Sequence, residues 1–394
     1  MNTVEWLTQL IGFNTVSSNS NRALIEAVDA WFKAHDIDSH IIPGPTEEKA
    51  NLFATIPASN GQIDGGILLS GHTDVVPVIG QIWNSDPFVA IEREGKIYGR
   101  GACDMKGFLA VLLALAPEFK KLKLVKPIHF SFTCDEEIGC LGVDYLVDYL
   151  QKAGIHPEGC IVGEPSSMRP IVGEKARRLY YCQIQGKAVH SSLASEGCNA
   201  IEYASRLICY INKLARYVKE NGPFDTDFDL PFTTITTNLI EGGSAANIIP
   251  GRCEFTLELR YISEFLIENF NNQIKNYIED QLLPEMRKTY SDAAISFEVI
   301  SDAPGFNAIE DSSIARIVRA VTGTKNRFKV SYATESGIFQ NARIPTLICG
   351  PGNIEQAHTP NEFISVDQLN LCEKVLHNVI HFFCMDLEEG RDNF

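Results

Sequence analysis

The sequence predicts an α/β fold: a mostly parallel sheet flanked by helices, interrupted by a smaller inserted α+β sandwich. Three observations carry that expectation. Short apolar runs alternate with helical stretches over the first 175 residues and again towards the C-terminus, the pattern of βαβ units. The middle of the chain instead runs β-α-β-β-α, the order of a sheet with its helices on one face. The length of 394 residues also exceeds the usual size of a single core. The expected division is residues 1–175 with 291–394 as one domain, and 176–290 as a lid inserted into it.

Residues 3–12 and 21–35 read as amphipathic helices, the second with Leu24, Val28, Trp31 and Phe32 on one face. Asn51–Ile56 and Ile67–Ser70 read as strands. Val89–Glu92 and Lys96–Tyr98 flank Glu94-Gly95, a tight hairpin turn. A loop with glycines at 99, 101 and 107 leads into the apolar helix Phe108–Leu115. Ile128–Cys134 is a buried strand by its β-rich composition, and it runs into Asp135-Glu136-Glu137. A helix follows around Asp144–Lys152, then a short strand, Cys160–Gly163, that stops at Glu164-Pro165. In the middle, Tyr180–Gln185, Thr233–Ile240 and Glu254–Tyr261 read as strands, and Asn199–Tyr217 and Phe265–Leu283 as long helices. From about Ala294 the first pattern returns: helix Ser313–Val321, strand Thr346–Cys349 and a C-terminal helix Val366–Phe383. Residues 388–394 are expected to fray.

Composition narrows the function classes. A net charge of −16 argues against nucleic acid or an anionic membrane as partner, while leaving room for one arginine to hold a carboxylate substrate. Eleven cysteines without a Cys-x-x-Cys pair read as reduced core residues. The N-terminus lacks a basic start and a continuous apolar run, and no stretch approaches the roughly 20 apolar residues of a membrane span. The expected compartment is the cytoplasm.

The chemistry gathers at strand ends. His72, Asp104, Glu136, Glu137, Glu164 and His358 each follow an apolar run or lie in a glycine-rich loop, and in an open parallel sheet such loops share one edge. Asp74, two residues after His72, is on the same side of the strand and in reach of its ring. Clustered buried carboxylates repel one another unless a cation joins them. Two zinc ions fit the charge: Asp104, Glu137 and Glu164 offset three positive charges, and a bridging hydroxide the fourth. Imidazole and carboxylate together suit zinc better than calcium. Glu136 is left as general base for an activated water. Taken singly, each signal has a plainer reading, such as an acidic helix start for Asp135-Glu136-Glu137. Gly99-x-Gly101 followed by Asp104 is no dinucleotide fingerprint, and no nucleophile elbow is present. Cys103 reads as packing. His377 and His381 share a helix face, but Asn378 stands where a His-Glu-x-x-His site needs glutamate. With His35, His40, His129 and His156 they read as structural.

In order along the chain, Gly71-His72-Thr-Asp74-Val-Val-Pro, Tyr98-Gly-Arg-Gly-Ala-Cys-Asp104-Met-Lys-Gly, Asp135-Glu136-Glu137-Ile-Gly and Gly163-Glu164-Pro165 resemble the dinuclear zinc aminoacylase and carboxypeptidase family. The resemblance implies a zinc-hydrolase catalytic domain with two zinc ions per subunit, cobalt being able to substitute. Asp104 would bridge, His72 and Glu164 would hold one ion, and Glu137 and His358 the other. Glu136 would be the base, with Asp74 behind His72. The resemblance also makes the insert a dimerisation domain. Its His190 would reach the other subunit's oxyanion, and its Asn247 and Arg260 would bind substrate. Tyr332–Ser336 and Leu347–Glu362, the segment that decides substrate, resemble the deacetylase branch of the family. Gly350 and Glu335 would contact an N-acetylated amino acid, Glu335 through a side-chain ammonium. The desuccinylase branch has Ser-Asp where Thr334-Glu335 stands. Hydrolysis of a succinylated substrate, another acyl amino acid or a dipeptide is the alternative.

Overall fold

In the computed structural model, which describes residues 1–386, Ile67–His72 lies near the middle of a nine-stranded sheet. It pairs in parallel with Ile128–Thr133 on one side and Gly159–Pro165 on the other, and Thr346–Gly350 lies parallel beyond the latter. These four strands are buried throughout, which is why they read as apolar runs without alternation. The outer strands turn antiparallel: Ala50–Ile56 against Ile128–Thr133, Asp38–Pro43 against Ala50–Ile56, and Ile171–Glu174 against Thr346–Gly350. The sheet is therefore mixed, with its parallel run at the centre. Loop 44–49 is too short for a parallel crossover, which needs a dozen or more residues, so Asp38–Pro43 returns as a hairpin.

Helix Gly107–Phe119 is buried almost all round and packs on the sheet at Gly163, where a Cβ would lie 2.0 Å from the Phe108 ring. Helix Thr3–Gly12 starts with a capping box between Asn2 and Glu5 and buries Trp6, Leu7 and Leu10 in the same core. Helices Arg22–Ala34 and Val366–Cys384 add Phe32, Leu376 and Phe383. Each such side chain contributes roughly 1.5–3 kcal/mol by leaving water. The turn between Ile91–Arg93 and Lys96–Tyr98 has both Glu94 and Gly95 at positive φ, as a two-residue hairpin requires.

The chain divides into two units. The first comprises residues 1–173, 306–329 and the chain from Thr334 on; the second is Glu174–Gly305 with Val330–Ala333. The second unit is a fully antiparallel sheet in the order Thr234–Gly242, Arg252–Tyr261, Ala176–Gln185, Ala294–Ala303. Cys253, Phe255, Leu257 and Leu259 alternate inward along one strand and meet Leu207 and Ile211 of helix Ala200–Asn221 and Phe270 and Ile274 of helix Ile267–Tyr277. The boundary expected at residue 290 falls short. Ala294–Ala303, assigned by sequence to the first domain, pairs along Ala176–Gln185 as an edge strand. Its mixed polarity is that of an edge and carries no mark of which sheet it joins. Residues 388–394, expected to fray, lie outside the described residues.

Candidate metal centre

The central parallel strands end level, His72 opposite Thr133 and Gly350 opposite Pro165, so the loops that leave them open on one edge. His72 is the last residue of its strand and Glu164 the last but one of Gly159–Pro165. Glu136 and Glu137 follow Ile128–Thr133, and His358 follows Thr346–Gly350. Asp104 comes from the wide turn Ala102–Lys106 that opens helix Gly107–Phe119.

These six side chains converge. Asp104 is the common member: its Oδ1 lies 2.9 Å from His72 Nε2 and its Oδ2 3.2 Å from His358 Nε2. His72 Nε2 is also 3.5 Å from Glu164 Oε1, and His358 Nε2 is 3.1 Å from Glu137 Oε1. The ligand atoms of His72, Asp104 and Glu137 lie within 4.8 Å of one another, as do those of His72, Glu136 and Glu164. Electrostatics follow from this crowding. Burial, reinforced by the neighbouring carboxylates, lifts Glu136 and Glu164 well above the ordinary range and raises Glu137. Burial opposes ionisation at Asp104 too, but hydrogen bonds from His358 and His72 hold its carboxyl low. Donating first to Asp104 and then to Glu137 pushes His358 up to about 11. At His72 burial opposes protonation, and Asp104 and Glu164 overcome it, so its ring also titrates well above the usual value. The centre draws positive charge onto both histidines, and its imidazole and carboxylate donors fit divalent ions such as zinc, which would take the place of those protons.

The supporting contacts differ from the sequence expectation in one respect. His72 Nδ1 sits 2.9 Å from the main-chain carbonyl of Asp74 and 3.7 Å from its carboxylate. The tautomer is set by the carbonyl. The Asp74 carboxylate accepts instead from the Glu136 and Glu137 amides at 3.1 and 3.3 Å and from the Ser17 hydroxyl at 2.7 Å. Asp74 thus holds the turn that presents both glutamates. Beside it, Lys49 bridges the Ser17 carbonyl and the Asp135 carboxylate, both at 2.6 Å.

Glu362, absent from the sequence-derived site, organises the Asp104 loop. Its buried carboxylate accepts from the amides of Gly101, Cys103 and Asp104 at 2.8–3.0 Å and from Arg100 Nη1 at 2.7 Å. Arg100 Nη2 donates to Gln81 Oε1, and Gln81 Nε2 donates to the His358 carbonyl at 2.9 Å. One relay ties the Asp104 loop to the His358 loop. Its only trace in sequence is an arginine between two glycines and a glutamate four residues after His358.

Glu335 is buried under this edge; Ser70 donates to its Oε2 at 3.3 Å, Thr133 also hydrogen-bonds its carboxyl, and burial pushes that carboxyl up to about 7. Gly350 ends its strand at a crowded point. Its N–H and carbonyl are both engaged with Ser166, and a Cβ there would meet the Gly163 carbonyl at 1.9 Å. It lets two main chains pass closely. In the second unit, Val189–His190 pairs with Ile248–Ile249, and the Ser191 amide donates to the Asn247 carbonyl, bringing His190 and Asn247 together. His190 is exposed and bonded to the Ser192 hydroxyl at 2.8 Å. Arg260 is held by Glu258 at 2.6 Å and by the Ser331 carbonyl at 3.2 Å. His129, buried between Thr55 and the Gly65 carbonyl, is structural, as expected.

Peptidase family M20/M25/M40 matches residues 68–381. An acetylornithine deacetylase of Photorhabdus laumondii is 32% identical over 391 residues, 97% of each chain. A Staphylococcus aureus tripeptidase shares the fold with a TM-score of 0.75 at 22% identity, over 96% of this chain and 97% of its own. So does a dinuclear metal binding peptidase of the M20 family from Bacillus subtilis, at a TM-score of 0.65 and 14% identity, over 96% of each chain.

Proposed function

The chain belongs to peptidase family M20/M25/M40, and from that premise we propose that it hydrolyses N2-acetyl-L-ornithine to L-ornithine and acetate, a step of arginine biosynthesis. The observation that carries the metal chemistry is the Asp104 carboxylate shared between His72 and His358, each with a further carboxylate beside it. In this reading His72, Asp104 and Glu164 would hold one zinc ion, and Asp104, Glu137 and His358 would hold a second, with cobalt able to substitute. Such ions, when bound, supply a Lewis acid for a carbonyl oxygen and bring the pKa of a water near neutrality.

The protein's own groups do the rest. Glu136 takes the proton of the attacking water and returns it to the leaving amine, work worth roughly 10²–10⁴ in rate. Asp74 fixes the backbone from which Glu136 projects. His190, from the partner subunit of a homodimer formed through the second unit, donates to the oxyanion, a contact worth about 3 kcal/mol. Asn247 and Arg260 hold the substrate, Arg260 by its carboxylate. Glu335, a buried carboxyl beside Ser70 and Thr133, receives the side-chain ammonium. No helix among the described residues is long and apolar enough to cross a membrane, which agrees with a cytoplasmic enzyme acting on a small metabolite.

The test is kcat/KM of zinc- or cobalt-loaded protein on N-acetyl-L-ornithine beside N-succinyl-diaminopimelate, with a chelator-treated control. Chelator-sensitive preference for the acetyl substrate is the expected result. Preference for the succinyl compound would keep the chemistry and overturn the reading of Thr334-Glu335.

A further inference from the structure

The turn after strand Ile128–Thr133 closes on itself. The amides of Gly139 and Cys140 both donate to the Glu136 carbonyl at 2.9 Å, and the Leu141 amide to the Asp135 carbonyl at 3.0 Å. A turn of this kind brings side chains four residues apart onto one side. Cys140 Sγ accordingly lies 3.6 Å from Glu136 Oε1, within reach of a thiol donor. Cys140 is buried, with left-handed backbone at φ 58°. Among the described residues it supplies the one hydrogen bond that the Glu136 carboxylate accepts.

We propose that Cys140 is a positioning residue for the base: its S–H donates to Oε1 and fixes the rotamer of Glu136, so that Oε2 is presented to the water. A glutamate side chain has three rotatable bonds, and a base that must meet a proton at hydrogen-bond distance gains from losing that freedom beforehand. The thiol suits the task because it is a weak donor that engages Oε1 and leaves the lone pairs of Oε2 to the water. The inference rests on Glu136 being the base of the proposed hydrolysis.

On metal-loaded enzyme, Cys140→Ala and Cys140→Gly should each lower kcat on N-acetyl-L-ornithine about fivefold, the size of one ordinary net hydrogen bond, as suits a weak thiol donor. KM and metal content should not change. Cys140→Ser, which keeps a donor, should recover most of kcat. Glycine is the deciding variant, since it suits the left-handed backbone and lacks only the side chain. A Cys140→Gly enzyme as fast as the wild type, or a loss that falls on KM or on bound metal, would overturn the proposal. The contact also has a readout that needs no turnover. The S–H stretch of Cys140, isolated as the infrared difference between wild type and Cys140→Ser, should move to higher frequency in Glu136→Ala. An unmoved band overturns the contact. A moved band with no turnover of the acetyl substrate keeps the contact and removes the deacetylase reading instead.

Discussion

His72 and His358 both meet Asp104, but they are held in opposite ways. His72 ends a central strand, has 1% of its side chain exposed, and is fixed at Nδ1 by the Asp74 carbonyl. His358 stands in a loop at positive φ, with 51% of its side chain exposed, and what steadies its backbone is a hydrogen bond from Gln81. The carboxylates repeat the contrast: Glu164 is a strand residue, whereas Glu137 lies in a turn that Asp74 must hold in place. A ligand fixed before the ion arrives loses less freedom on binding. The half of the centre built on His72 should therefore hold its ion tightly, and the half built on His358 more weakly.

The largest test of that contrast is Asp104→Asn. Because both histidines share this carboxylate, both halves should lose metal, with activity down more than a hundredfold, beyond what outer-shell changes typically cost. Metal analysis after gel filtration would show it; retention of one full equivalent would mean that Asp104 serves one half alone. Next come His72→Ala and His358→Ala, measured the same way. The first should leave the protein nearly metal-free and the second should retain one ion. Equal losses would end the distinction. Glu362→Gln should act on the joint between the halves by leaving Arg100, with 1% of its side chain exposed, without its counter-charge. A loss of about 3–5 kcal/mol in denaturant unfolding of the metal-free protein is expected, and a loss under 1 kcal/mol would show that the pair is replaceable. The smallest effect belongs to Gln81→Leu. Affinity for the second ion should fall about tenfold in calorimetric titration, the low end for a supporting contact, with the first unchanged. A matching loss at the first ion would place Gln81 in the support of both halves.

The two halves also differ in how far they could be read from sequence. Buried parallel strands leave an unmistakable apolar run, and a polar residue at its end stands out, so His72 and Glu164 were legible. The strand-end logic reached Asp104, Glu137 and His358 as residue types in suggestive loops. It gave no access to what supports them, since Glu362 meets amides some 260 positions earlier in the chain and Gln81 acts on a main-chain carbonyl. Main-chain partners leave no side-chain signature. For the same reason Asp74 was expected to act on the His72 ring through its carboxylate, when its carbonyl does so, and the close main-chain approach that Gly350 allows was not foreseen. The edge strand Ala294–Ala303 escaped because pairing between distant strands is a property of the assembled sheet.

The interruption of the first unit by residues 174–305 also sets the order in which the centre can come into being during synthesis. His72, Asp104, Glu137 and Glu164 emerge from the ribosome together, ahead of the whole second unit, while His358 and Glu362 come only after its last segment, Val330–Ala333. A nascent chain thus presents three carboxylates and one histidine to cellular cations well before the relay through Glu362 can close. Translation stalled between the two groups would yield a chain with every ligand of the well-held half and, of the other, all but His358.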